Sequence, residues 1–68
     1  MAEAEGNQRL RERREAAGLS QEGLARRSEC SLNTVGRIER GRGRPSLDVA
    51  LRIASVLGAD ARDLFGPV

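Results

Sequence analysis

Apolar residues along the chain come in short groups spaced three or four apart, with a capping residue in front of most groups and a glycine behind. Such spacing turns one face of an α-helix inward. No stretch alternates apolar and polar positions with period two, so no strand is expected. A first helix is predicted from about Asn7 to Ala17, built from strong helix formers such as Leu10, Arg11, Glu12, Arg14 and Ala16. Gly18 ends it by supplying the left-handed conformation of a helix C-terminus, and Leu19 turns inward. Ser20 caps a second helix, which carries Leu24 and Ala25 at core spacing and ends near Arg27 or Ser28. Ser31 caps a third, with Val35 and Ile38 on one face and Gly41 at its end. The segment Arg42-Gly43-Arg44-Pro45 cannot continue a helix, because Pro45 biases Arg44 to extended geometry. Ser46 caps a fourth helix, in which Leu47, Ala50, Leu51, Ala54 and Leu57 repeat at three and four residues, and Gly58 stops it. Asp60 caps a last short turn, Ala61 to Phe65, whose Leu64 and Phe65 close the core. The expected fold is all-α, with five short helices.

A chain of 68 residues makes one domain, taken here as residues 1–68 with an ordered part of about 7–66. A domain this small buries only about 60% of the surface its unfolded chain exposes, which leaves little room for a catalytic cavity. With a single aromatic residue, Phe65, the core must be aliphatic. There is no histidine, and the lone Cys30 has no intramolecular partner, so neither a zinc site nor an internal disulfide is expected, and no cofactor. A free thiol suits a reducing cytoplasm. No apolar run resembles a signal peptide or a membrane span.

The net charge of +2 is unevenly placed. Residues 1–30 carry six Arg and six Glu and sum to zero, whereas residues 45–68 sum to −1. Residues 31–44 carry Arg37, Arg40, Arg42 and Arg44 against Glu39 alone, and so hold the whole excess. A basic patch on a near-neutral domain is the footprint expected for a polyanion partner. The patch overlaps the second half of the segment Ser20 to Gly41, where two short serine-capped helices flank a turn of about three residues. That is the pattern of a helix-turn-helix, whose second helix presents its first residues to base edges in the DNA major groove.

The stretch LSQEGLARRSECSLNTVGRIERGRGRPSLDVALRIASVLGADARDLF resembles the phage repressor and Cro class of helix-turn-helix proteins, the xenobiotic-response-element family, over about Leu10 to Phe65. The resemblance rests on LSQ at the second helix start, GLARRS within it, RIERG at the end of the third helix, PSL opening the fourth, and LGADARDLF closing the domain. It implies a lambda-repressor-like DNA-binding domain, acting on double-stranded DNA as a transcriptional regulator, expected to be a repressor. It also implies a homodimer on a palindromic operator and a cytoplasmic, nucleoid-associated location in a bacterial or phage setting. On the family pattern, Leu32, Asn33 and Arg37 occupy base-reading positions: Asn suits adenine, Arg suits guanine, and Leu32 can meet a thymine methyl. Ser20, Gln21, Ser31, Thr34, Arg40, Arg42 and Arg44 occupy phosphate-contacting positions, helped at Ser20 by the helix dipole. Gln21 also braces the recognition helix. Arg14 and Glu39 match an ion pair joining the first helix to the end of the third. The last helix, around Arg62 to Val68, is the expected dimer surface.

Four positions depart from the family. Glu29 stands where the turn glycine belongs, and Cys30 where a small aliphatic residue belongs. Gly23 and Gly36 lie inside helices, each costing roughly 0.5–1 kcal/mol relative to alanine, and Gly36 shortens the surface beside Arg37. Three other functions compete. An antitoxin-like protein-interaction module would bring a partner-wrapping segment, which the sequence lacks. RNA binding favours aromatic stacking, which one Phe cannot supply. An enzyme would need a nucleophile beside a base, and none is apparent.

Overall fold

The computed structural model describes residues 6–66 and folds them into α1 (Gln8–Ala16), α2 (Gln21–Arg27), α3 (Leu32–Glu39), α4 (Leu47–Leu57) and α5 (Ala61–Phe65), with no strand among those residues. Residues 1–5 and 67–68 of the expected single domain, including the end of the segment Arg62 to Val68, lie outside the described residues.

Each helix starts where a side-chain oxygen takes up a free backbone N–H. Ser20, Ser31 and Ser46 accept from Gly23, Thr34 and Val49, and Asp60 accepts from Arg62. Asn7 sits just outside α1, accepting from the Leu10 N–H while its own amide donates 2.7 Å to the Leu64 carbonyl. A predicted helix residue is therefore a cap that also fastens α5.

Four helices end by one device: the chain crosses into the left-handed region, and the next two N–H groups fold back onto the last turn. Gly18, Gly41 and Gly58 adopt this conformation after α1, α3 and α4. After α2 the residue is Glu29, at φ 58°, with the Glu29 and Cys30 N–H groups bonded to the Arg26 and Ala25 carbonyls. A residue with a Cβ pays about 1–2 kcal/mol there. Glu29→Gly is therefore expected to stabilise the fold by about 0.5–1 kcal/mol, the gain being trimmed by glycine's freer unfolded chain. Chemical denaturation checks this; a loss of stability would mean that Glu29 makes a contact that offsets its backbone conformation.

The turn is also held from outside. Arg52 on α4 donates 2.8 Å from Nε to the Ser28 carbonyl while pairing with Asp48 one turn earlier. This latch fixes the step from α2 to α3, and nothing local in the sequence points to it.

Leu10, Leu24, Val35 and Ile53 are fully buried and pack with Ala25, Ile38, Ala54, Ala61 and Leu64. Leu19 and Cys30 pack against this cluster, Cys30 as a small hydrophobe. The expected inner face of α4 needs correction. Ala50 and Ala54 are buried and Leu57 is partly buried, but Leu47 and Leu51 are 58% and 54% exposed. Ile53, Val49 and Val56 turn inward in their place. The reason lies in Asp48, Arg52 and Ser55, which share one side of α4 and place Ala50, Ile53 and Leu57 opposite.

Candidate nucleic-acid interface

Glu39 organises the site from within. It is the last residue of α3, and its side chain is fully buried. Both carboxylate oxygens are taken by Arg14 of α1, at 2.6 Å from Nε and 3.1 Å from Nη2. Gln21, at the start of α2, donates 2.9 Å to the same carboxylate, and Arg11 stands 3.6 Å away. Arg14 also donates to the Leu19 carbonyl. One carboxylate thus joins α1, α2 and α3 and fixes the angle at which α3 leaves the domain. Burial by itself would raise the Glu39 pKa, but the hydrogen bonds from Arg14 and Gln21 and the nearby arginines more than reverse this, and the carboxyl is held below its ordinary value. The Arg14 guanidinium is raised in turn, chiefly by its hydrogen bond to Glu39.

This burial changes the charge seen from outside. The one acidic residue of the basic stretch is turned inward and neutralised, so the exposed side chains of residues 31–44 carry only positive charge.

Val35 and Ile38 face the core and aim the opposite side of α3 outward. Leu32 is 50% exposed, and Asn33 and Arg37 are exposed. Among the described residues no hydrogen bond or ion pair holds the side chains of Asn33, Arg37, Arg40 or Arg42. Asn33 and Leu32 share an open cleft with Gln21, Ser31, Gly36 and Arg40. Arg37 leans to the other flank, where a Cβ built on Gly43 would lie 3.5 Å from its guanidinium. The post-helix loop therefore borders the outer face of α3.

The other expected contacts fall in three places. Ser20, Gln21, Ser31 and Thr34 stand at the starts of α2 and α3, with the Ser31 and Thr34 hydroxyls 2.8 Å apart. Arg42 projects from the loop beyond Gly41 and is exposed. Arg44 is committed elsewhere: its guanidinium donates 3.1 Å to the Phe65 carbonyl and so ties the loop to α5. Arg40, grouped with the loop by sequence, is the cap residue of α3, and its guanidinium lies back along the helix beside Gly36. Gly36 thus leaves its space to Arg40.

The remaining chemistry is sparse. Burial pushes the Cys30 thiol up, with a smaller opposing effect from Arg52, which keeps it from being an activated nucleophile. No group of three or more potential metal ligands occurs among the described residues, and no helix there is long and apolar enough to cross a membrane.

A family model described as a helix-turn-helix domain matches residues 8–65. An uncharacterised helix-turn-helix-type transcriptional regulator of Methanothermobacter thermautotrophicus is 44% identical over 57 residues, covering 82% of this chain and 83% of the relative. A regulator of the same description from Archaeoglobus fulgidus is 40% identical, covering 84% and 81%. Among solved structures, the restriction-modification controller protein C.AhdI of Aeromonas hydrophila superposes with a TM-score of 0.78 at 48% identity, covering 85% of this chain and 88% of that one.

Proposed function

The chain belongs to the helix-turn-helix domain family, in its phage repressor and Cro branch, and on that premise we propose how it reads DNA. It is a DNA-binding transcriptional regulator. In the proposed complex α3 enters the major groove with Asn33 and Arg37 toward base edges and Leu32 toward a thymine methyl. Ser20, Gln21, Ser31 and Thr34 meet the phosphates on one side of the groove, and Arg42 meets those on the other. Arg44 adds its charge to the same wall and holds the loop against α5. Gln21 keeps one amide N–H on Glu39 and has a second for a phosphate. The observation that carries this reading is the exposed face of α3, positive and unpaired, beside an acidic residue turned fully inward.

The test is selection from randomised duplex DNA followed by a salt titration. A defined site is expected, with log affinity falling by about 0.9 for each phosphate neutralised per unit of log salt. A slope near zero would remove the polyanion reading of the arginine stretch.

Two copies on a palindromic site, acting as a repressor in the cytoplasm, complete the proposal. Leu32, Leu47 and Leu51 are the exposed large hydrophobics among the described residues. Leu32 belongs to the reading face, so the pair on α4 is proposed as the contact with a second copy, displacing the expected surface at Arg62 to Val68. Two leucines make a small interface, so a monomer or weak dimer is expected in free solution and two copies on a palindrome. Sedimentation of wild type and Leu51→Lys with a palindromic duplex decides it. The variant should bind its two copies without cooperativity; cooperative binding equal to wild type would move the interface off α4.

A further inference from the structure

Gly36 is a glycine in the middle of the helix that carries the site, and it is buried. Glycine there weakens a helix relative to alanine, so its presence calls for a reason. Nothing in the backbone demands one, since Gly36 is not among the residues of positive φ. The reason is spatial. The three nearest atoms that a Cβ at position 36 would meet all belong to the Arg40 guanidinium, the closest at 3.0 Å, tighter than an ordinary van der Waals contact. The space a side chain would fill is occupied by the head of Arg40.

This conformation matters for what Arg40 can reach. An arginine gripping the sugar–phosphate wall would extend away from the helix axis. Arg40 instead folds one turn toward the N-terminus of α3, the direction helical side chains favour. That brings its guanidinium into the cleft shared with Leu32 and Asn33. Positions 33, 36 and 40 lie along one face of the helix. On that face Arg37 leans to the loop flank against Gly43, whereas Arg40 occupies the flank next to Gln21.

We propose that Arg40 is a base-reading residue rather than a phosphate contact, and that Gly36 is the positioning residue that lets its guanidinium lie on the reading face. The base is a guanine, whose O6 and N7 match the planar fork of an arginine. It is distinct from any base read by Arg37, on the opposite flank of α3. This inference rests on the proposed docking of α3 in the major groove.

The experiment selects sites from a pool of duplexes with a randomised central segment, using the full chain as wild type, Arg40→Ala, Arg40→Lys, Arg37→Ala and Gly36→Ala. Melting temperature is measured for each. Arg40→Ala is expected to lose roughly ten- to hundredfold discrimination at one guanine while keeping the rest of the site. Arg40→Lys should keep the salt slope and still lose most of that discrimination, because an ammonium does not make the bidentate pair. Gly36→Ala should melt at the same temperature as wild type or higher, and lose preference at the same guanine. Arg37→Ala should affect a different position. The proposal is overturned if Arg40→Ala weakens all duplexes equally, or if Gly36→Ala leaves the guanine preference intact. A wild-type pool that enriches no site overturns the major-groove docking and this inference together, whereas an enriched site untouched by substitutions at 36 and 40 overturns this inference alone.

Discussion

Glu39→Gln is expected to cost about 3–5 kcal/mol of stability. The change keeps the shape and removes the charge. Arg14 is then left mostly buried, at 11% side-chain exposure, with only the exposed Glu15 carboxylate 3.9 Å away as counter-ion, and Arg11 is left 3.6 Å from a neutral amide. An amide offers one acceptor oxygen where the carboxylate offers two, so a donor of Arg14 or Gln21 must also reorganise. A domain of this size holds only about 3–10 kcal/mol in total, and each kcal/mol is worth about 4–8 °C in melting temperature. Thermal denaturation should therefore show a fall of more than about 10 °C, or no folded baseline at all. Replacing Arg14 and Glu39 together with apolar residues should cost less than either single change, since no charge is stranded. An unchanged melting temperature for Glu39→Gln would mean that the carboxylate is solvated in solution.

The same carboxylate sets the acid limb of the stability curve. Its folded-state pKa lies below the ordinary value, so protons bind the unfolded chain first. The stabilisation is fully present above the ordinary carboxylate range and is lost as pH falls through the lowered value. Wild type should lose stability steeply on acidification, and Glu39→Gln should show a flatter acid limb from a lower plateau.

Much of this architecture is legible in the sequence because it is written in local chemistry. Ser20, Ser31, Ser46 and Asp60 open helices through bonds to residues two or three positions on, and Gly18, Gly41 and Gly58 close them in conformations few other residues tolerate. The inner face of α4 is less legible, because apolar residues cover most of that helix and a spacing of three and four fits two stripes equally well. Its polar residues, Asp48, Arg52 and Ser55, carried the answer. Long-range contacts left no local trace: Arg44 reaches Phe65 across 21 positions, and Arg52 reaches Ser28 across 24. Arg40 is an intermediate case. Gly41 right behind it suggests a loop, whereas a glycine four residues earlier in the same helix was the available sign that its side chain folds back.

The sharpest test of the interface separates reading from gripping. Asn33 and Arg37 stand four apart on the outer face of α3, with Val35 and Ile38 turned to the core beneath them. Arg42 stands beyond the helix end, in a loop that borders that face without being part of it. Asn33→Ala and Arg37→Ala are therefore expected to cost about 1–3 kcal/mol each on the preferred duplex, and each should relax preference at one base position. Arg42→Ala should weaken every duplex alike and lower the salt slope by about one unit, because a phosphate contact carries no sequence information. None of the three residues is buried, so melting temperatures should stay within a few degrees of wild type, and any loss of binding can be assigned to the interface. Discrimination between competing duplexes is the quantity to measure, because all three variants lose affinity under either assignment. If base preference survives at both Asn33→Ala and Arg37→Ala but changes in Arg42→Ala, then the loop enters a groove and α3 lies along the backbone.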